Sequence, residues 1–532
     1  MSAKANKTDW LVFAFIGAII VGLAVRAGDS DFTYSDASRH AMGGVFLMDA
    51  VNERAVAAPV AWARDYYISS PALGIGRYPP LQAALQVPFY AALGVRPLAA
   101  RLAGALVWLT GCIFFYEAAR RVHGRFPGAF ATAVMAAGPA AVRWSGEVML
   151  ELPAIAFLCA GAYFLCAWLE SRTRWDLYAA VAAVCLAGWI KQPAALLLIV
   201  VLAFVISAKG ISRQTARELV WPAVLILVVM APLALLSVRF GRANMLLLGG
   251  VGGQFGLLSF RNWLFYAAEI PRYYIGWPAF LFMVAGVVAS VKGSMSRKSW
   301  LWAAWGVLFY LSFSLVGYKS ARLGMFVLPA CAWFAGVGMA ALANSPRMHK
   351  GLVCAAAAVA VGGTGLISFL RLPEPSYDCL EAAEIALTEA PDRILYSGES
   401  NGTFIFRVRE LSGRHRPVVV RADKVFRPVV VQYELGESMR QWTLDEVRTK
   451  VAAVAPDTVV IESALPPTRL QPDPLMMLAE YALSEDFRIQ DRIGAPQGDR
   501  IRIYLYVGAR NRRVLTIDLP GVGMEIDLGE GP

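Results

Sequence analysis

The sequence predicts a polytopic α-helical membrane protein with a small α/β domain at its C-terminal end. Three observations point there. Of 532 residues, 57% are hydrophobic and only 17% are charged, with a mean hydropathy of +0.51, whereas soluble proteins carry about 25% charged residues. Apolar runs close to the roughly 20 residues that a helix needs to cross a bilayer recur through residues 1–370. From residue 376 the chain turns polar, and strand-like runs alternate with helical ones.

Eleven segments are candidate spans: 10–27, 98–119, 127–143, 153–169, 175–190, 193–208, 219–238, 277–291, 300–316, 323–342 and 351–370. The start, MSAKANKTDW, is basic and leads into Leu11–Val25 without an A-x-A-like cleavage site. It reads as a retained first helix and not as a removed signal peptide. The connections RRVHGR (120–125), ESRTRWD (170–176), KGISRQTARE (209–218), KGSMSRKS (292–299) and NSPRMHK (344–350) are all basic and all fall on one side. The positive-inside rule puts that side, and the N-terminus with it, in the cytoplasm. The opposite face receives 28–97, 144–152, 239–276, 317–322 and the tail, since an odd number of spans leaves the tail outside.

The chain therefore divides into a membrane domain, 1–370, with outside loops 28–97 and 239–276, and a soluble extracytoplasmic domain, 376–532. Loop 28–97 is long, and long loops without their own fold are uncommon unless functional. Its run Leu81–Leu93 is short for a span and holds Pro88, which suits a helix lying in the interface. Loop 239–276 is Gly-rich at 249–256 and aromatic at Trp263, Tyr266, Tyr273, Tyr274 and Trp277. That composition fits a lid at headgroup depth or a simple aromatic belt. In the tail, strands are expected at Arg393–Tyr396, Thr403–Arg407, Pro417–Val420, Pro428–Gln432, Thr458–Glu462 and Ile501–Val507. Helices are expected at Cys379–Glu389 and Leu444–Val454, and a hairpin or disordered end at Asn511–Pro532.

The composition also excludes some classes. A net charge of +11 suggests nucleic acid, but the basic residues sit in short loops with no basic face or aromatic platform, so no nucleic-acid partner is expected. Six of seven cysteines lie in apolar segments, only Cys379 lies in the tail, and none has CxxC spacing. They read as small packed hydrophobes, not a disulfide or metal framework.

The chemistry-bearing residues cluster on the outside face. The stretch Tyr34–Asp49, YSDASRHAMGGVFLMD, follows the first span and holds Asp36, Arg39, His40 and Asp49. Glu151 opens the fourth span in GEVMLELPA, Lys191-Gln192-Pro193 breaks two apolar runs, and Lys319 and Arg322 face outward against the positive-inside bias. Such charges are costly at a membrane boundary unless they meet a partner, and an anionic lipid phosphate is the natural one. A carboxylate that accepts a proton and cations that receive a departing phosphate are the parts for glycosyl transfer from a polyprenyl phosphate. Plainer readings stand beside this one. Asp36 suits a helix cap, Glu151 suits the positive end of a helix dipole, and Lys191 and Lys319 suit snorkelling anchors. His40 reads as a surface histidine. Metal spacing such as HxxxH is absent, so a divalent metal on Asp36 and Glu151 is left open.

Residues 79–170 read PPLQAALQVPFYAALGVRPLAARLAGALVWLTG…YEAARRVHGR…RWSGEVMLELPAIAFLCAGAYFL. With YSDASRHAMGGVFL before them and KSARLGMFVLPA (319–330) after them, they resemble bacterial dolichyl-phosphate-mannose protein mannosyltransferase-like proteins. These form the large GT-C group that includes the aminoarabinose transferases. The resemblance covers roughly 30–370. It implies a GT-C-like fold of about 11 transmembrane helices in a bacterial inner membrane, a polyprenyl-phosphate sugar donor and an extracytoplasmic acceptor. It makes Asp36 the catalytic base, supported by Arg39 and His40, and Glu151 an acid near acceptor or metal. Arg77 and Tyr78 stand before PPL, where relatives often carry a Lys or an acid–Lys pair that meets the donor phosphate. Arg77 and Tyr78, or Lys191, Lys319 and Arg322, would fill that role here. Ala37 replaces a second acid common in relatives, and Glu151 an Asp. A transporter or lipid flippase is the competing reading. It predicts inverted repeats and helices broken at mid-depth, and neither is visible in the sequence.

Overall fold

The computed structural model describes residues 6–74, 78–240, 255–293, 295–346, 348–414, 417–426, 442–462, 474–495, 498–508, 516–519 and 524–527. Arg77, most of the Gly-rich stretch 249–256 and the strand expected at Pro428–Gln432 lie outside these residues. The chain forms two compact units. One comprises Met1–Gly28, Gly76–Gln82 and Arg101–Glu374. The other comprises Asp29–Ile75, Ala83–Ala100 and Pro375–Pro532. Loop 28–97 thus falls largely into the same unit as the C-terminal segment.

The first unit is helical. Every expected span has a helix at its place, and among the described residues seven helices are long and apolar enough to cross a membrane: Lys7–Ala27, Pro97–His123, Glu151–Ser171, Gln192–Lys209, Arg213–Val238, Leu323–Ala343 and Lys350–Leu370. Other spans are shorter or broken. The segment expected at 127–143 is split into Arg125–Ala137 and Pro139–Ser145, because Pro139 lacks the N–H that would continue the first helix. Small residues let helices approach closely. A Cβ on Gly286 would lie 1.9 Å from Phe334 O, and one on Gly338 would lie 2.0 Å from Phe282 O, where Trp277–Lys292 crosses Leu328–Ala343. Trp302 stacks between Trp305 and Trp333 at centroid distances of 5.1 and 4.9 Å. Arg101 is buried and donates to three carbonyls, Gly146 O at 2.8 Å, Gly28 O at 2.7 Å and Ala27 O at 3.3 Å. It satisfies backbone where the first span ends.

The second unit is built on a five-stranded sheet, ordered β2-β1-β3-β5-β4. The strands are β1 (Arg393–Ser397), β2 (Val418–Arg421), β3 (Thr458–Glu462), β4 (Phe487–Ala495) and β5 (Gly498–Tyr506). β1 pairs parallel with β2 and β3, whereas β5 runs antiparallel to β3 and β4. Leu395, Val447, Val451, Val459, Ile461 and Tyr504 belong to its core. The strand expected at Thr403–Arg407 is instead inside the helix Asn401–Ser412. Its β-branched and aromatic residues favour a strand locally, but Phe404, Ile405 and Val408 are buried as parts of a helix, so tertiary packing overrides propensity. The end of the chain forms the hairpin Thr516–Leu519 with Met524–Asp527.

Candidate active site

In the second unit, Asp36 lies in the first turn of the helix Ser35–Asn52 and is half-buried. Tyr34 precedes the helix in extended backbone, and an acid in the first turn faces the positive end of the helix dipole. His40 and Gly44 follow at one-turn spacing on the same face. His40, expected at the surface, is buried. The cause is packing around it: Tyr90 on Leu81–Leu93 donates its hydroxyl to Ala41 O at 3.1 Å, and a Cβ on Gly44 would strike Gln86 Oε1 at 2.4 Å. Arg39 turns back along its own helix and donates to Ser35 O at 2.9 Å. Asp49, further along, is a buried acceptor. Arg409 forks onto its two oxygens at 2.8 and 3.0 Å, and Tyr66 donates to Oδ2 at 2.8 Å. Burial first, then the Asp49 charge, pushes the Tyr66 phenol well above its ordinary range.

In the first unit, three separated segments meet at one carboxylate. Glu151 opens the helix Glu151–Ser171 and is 1% exposed. Lys191 stands in extended backbone between Arg174–Ile190 and the 3-10 turn Gln192–Leu196, a break that Pro193 supports. Arg322 precedes the 3-10 turn Leu323–Val327. Lys191 Nζ lies 2.5 Å and Arg322 Nε 3.2 Å from Glu151 Oε1. An aromatic wall flanks this group. Trp144 lies under Arg322 at 5.8 Å and donates its indole N–H to Tyr273 Oη at 2.5 Å. Burial pushes the Tyr273 phenol up. Trp144 was not foreseen as a site residue; its signal in the sequence is its position beside Arg143, at the start of the segment 144–152.

Lys319 does not join this group by any described contact. Its ammonium donates to Phe313 O at 2.9 Å and Ser314 O at 3.0 Å, capping the end of the helix Arg297–Ser314, and it rests over the Tyr266 ring at 5.2 Å. Burial pulls it down to about 8. Tyr78 is half-buried in a short bridge just before Pro79 and Pro80.

Among the described residues, no group of three or more His, Cys, Asp or Glu gathers to hold a metal ion. At Glu151 an ammonium and a guanidinium face Oε1. Asp36 and Glu151, the two acids considered for a metal, fall in different compact units.

Residues 77–236 match the model of a family described as dolichyl-phosphate-mannose-protein mannosyltransferase. No curated protein matches the chain. Among solved structures, ArnT from Cupriavidus metallidurans bound to undecaprenyl phosphate is similar over 94% of this chain and 98% of that one, with 16% identity and a TM-score of 0.65. The arabinofuranosyltransferase AftD from Mycobacteria is similar over 96% of this chain and 42% of that one, with 14% identity and a TM-score of 0.54. The Archaeoglobus fulgidus oligosaccharyltransferase, in complex with Zn and sulfate, is similar over 85% of this chain and 68% of that one, with 12% identity and a TM-score of 0.54. The chain is thus a multi-pass membrane protein that shares the fold of these structures, and its segment 77–236 is similar to the dolichyl-phosphate-mannose-protein mannosyltransferase family.

Proposed function

We propose that this protein is an integral-membrane glycosyltransferase that moves a sugar from a polyprenyl-phosphate donor to an acceptor outside the cytoplasm. The observation that carries the reading is the group of buried Glu151 and Lys191 with half-buried Arg322, with its net positive charge. One acid aligns an ammonium and a guanidinium, the two side-chain cations that recognise a phosphate. The 77–236 family match and the fold shared with an undecaprenyl-phosphate complex support it.

In this mechanism Asp36 is the general base. It takes the proton from the acceptor hydroxyl or amine as that atom bonds to the anomeric carbon. The bond from that carbon to the phosphate oxygen breaks on the opposite face, so the configuration inverts, and the polyprenyl phosphate leaves with both electrons of the bond. Lys191 and Arg322 stabilise the charge on the departing phosphate. Glu151 fixes both cations and takes no proton in the step. Lys319 belongs to the cap of its helix, so the phosphate contact rests on Lys191 and Arg322, with Arg77 and Tyr78 as further candidates near the start of the family segment. Arg39 and His40 support the acid-bearing helix. The N-terminus lies in the cytoplasm of a bacterial inner membrane, and the acceptor side is the face of the loops holding Asp36 and Glu151.

The test is reconstitution with undecaprenyl phosphate carrying a labelled pentose, hexose or aminopentose, and measurement of released undecaprenyl phosphate. Wild type turns over at least one of these donors and Asp36→Asn loses at least about a hundredfold, within the range attributed to general-base catalysis. Full activity in Asp36→Asn removes the base assignment. Movement of a donor across the bilayer without transfer favours a flippase.

A further inference from the structure

We propose that the helix Asn401–Ser412 of the C-terminal segment is the seat of the acid-bearing helix Ser35–Asn52, and that Gly402 and Arg409 are positioning residues for Asp36. This rests on the glycosyltransferase reading above and adds a role for the C-terminal segment.

The contact begins beside the acid. Gly402 lies so close to Ser38, two residues after Asp36, that a Cβ there would stand 2.2 Å from Ser38 Oγ. A side chain there would have to displace the Ser38 hydroxyl, which donates to Ser35 O at 3.0 Å. One residue on, Thr403 donates its hydroxyl to Phe32 O at 3.3 Å. Phe406 meets Phe32 edge to face at 5.2 Å. Arg407, fully buried, pairs with Asp31 at 2.8 Å and also donates to Asp29 O. Asp31 Oδ2 accepts from Cys379 N at 2.7 Å. The strand of chain that leads into the acid-bearing helix is therefore held at its side chains and its backbone. The far end is held as well, by the fork of Arg409 on Asp49. Two attachment points, at Ser38 and at Asp49, about three turns apart along the helix, fix both its rotation and its axial position.

The seat is itself anchored to the sheet. Glu462, the last residue of β3, accepts from Ser400 N and Ser400 Oγ, each at 3.0 Å, at the start of the seat helix. A Cβ on Gly398 would lie 2.2 Å from Glu462 Oε2, so the turn after β1 closes directly over this carboxylate. Sheet, seat helix and acid-bearing helix form one continuous rigid path. General-base catalysis is sensitive to placement: a shift of about 1 Å can cost about a hundredfold in rate. A helix beside a membrane gains such placement from a folded body packed on it.

The experiment uses the full-length protein in lipid nanodiscs, with whichever of the labelled undecaprenyl-phosphate pentose, hexose or aminopentose supports wild-type turnover. Gly402→Ala is expected to lower kcat about 10–100-fold, with KM for the donor changed by less than about threefold, because the base moves and the phosphate site does not. Ser38→Gly in the same chain removes the atom that Gly402→Ala strikes and restores kcat to within about threefold of wild type. Arg409→Ala lowers kcat in the same way, and the exchange Asp49→Arg with Arg409→Asp recovers part of it. Amide hydrogen exchange of residues 35–46 rises in each single variant, while that of Glu151–Ser171 stays as in wild type. Unchanged kcat in both single variants, a loss carried by KM, or no recovery by Ser38→Gly overturns the proposal. Asp36→Asn, measured alongside, separates the two failures. Full activity there removes the base itself, whereas an inactive Asp36→Asn beside a fully active Gly402→Ala removes only the seat.

Discussion

Lys191 Nζ and Glu151 Oε1 lie 2.5 Å apart at a site where Arg322 Nε approaches the same oxygen to 3.2 Å. An acid that serves two cations is a bracket for positive charge. Removing either cation should weaken binding of undecaprenyl phosphate about 10–100-fold, the worth of one charged hydrogen bond. Lys191→Ala and Arg322→Ala are the variants, and equilibrium binding of undecaprenyl phosphate to purified protein is the measurement. Glu151→Gln leaves both cations in place and should keep affinity within about tenfold while turnover falls. A Glu151→Gln protein that binds far more weakly than Lys191→Ala would place the acid on the ligand instead.

The same arrangement bears on metal dependence. Because two cations occupy the Glu151 oxygen, treatment with EDTA followed by desalting should leave turnover unchanged, and added Mg²⁺ or Mn²⁺ should not raise it more than about twofold. Loss with EDTA that a divalent cation restores would contradict this.

Two ion pairs in the second unit should differ sharply in worth. Arg407 and Asp31 are buried, and Arg407→Ala leaves Asp31 without its guanidinium, at a cost of about 3–5 kcal/mol. Burial already pushes the Asp31 carboxyl up, with Arg407 pulling it down. Arg96 and Asp29 are paired where Arg96 is 46% exposed, so Arg96→Ala should cost at most about 1 kcal/mol. Thermal unfolding of the two variants, followed side by side, gives the comparison.

Lys319 makes a pH prediction whose sign is fixed by its environment. Burial holds it near 8 in the folded protein, below its ordinary 10.5. The unfolded chain therefore binds the proton more readily between those values. Stability from this group is complete above about 10.5 and is lost as pH falls through about 8. The unfolding temperature of wild type should rise relative to Lys319→Met as pH increases across that window. A difference independent of pH would show that Lys319 does not titrate there.

The crossing of Trp277–Lys292 and Leu328–Ala343 leaves no room for a methyl group. Gly338→Ala would press on Phe282 O, which a Cβ meets at 2.0 Å, and overpacking of this kind costs about 1–3 kcal/mol. The loss should appear in thermal unfolding of the membrane domain, with donor affinity unchanged in the protein that remains folded.

Much of the fold was legible because hydrophobic length is a strong signal: each expected span from 10–27 to 351–370 has a helix at its place. Glu151, Lys191 and Arg322 were each identifiable as charges at an apolar boundary. Their meeting was not, because Glu151 and Lys191 are 40 residues apart and periodicity carries no information across that distance. Thr403–Arg407 was misread for the opposite reason. Its local preference is genuine, but its buried side chains pack as a helix on Phe32 and Ser38, contacts some 370 residues away in sequence. Asp49 lies several turns from Asp36 on the same helix. Its partner, Arg409, gives it work that distance along the helix did not reveal.

The second unit draws on residues 29–75, 83–100 and 375–532, and this has a consequence for how the protein comes into being. The segment with Asp36 leaves the ribosome long before Cys379 and Arg407, which lie 348 and 376 residues downstream of Asp31. At about 5–20 residues per second, the wait is roughly 17–75 seconds. Throughout that interval the acid-bearing helix has no seat, and a chain that stops after the last span carries both acids without the body that aligns one of them. On the proposed role of the seat, completion of translation is a condition for activity, and a truncated copy would occupy the membrane without turning over the proposed lipid-linked donor.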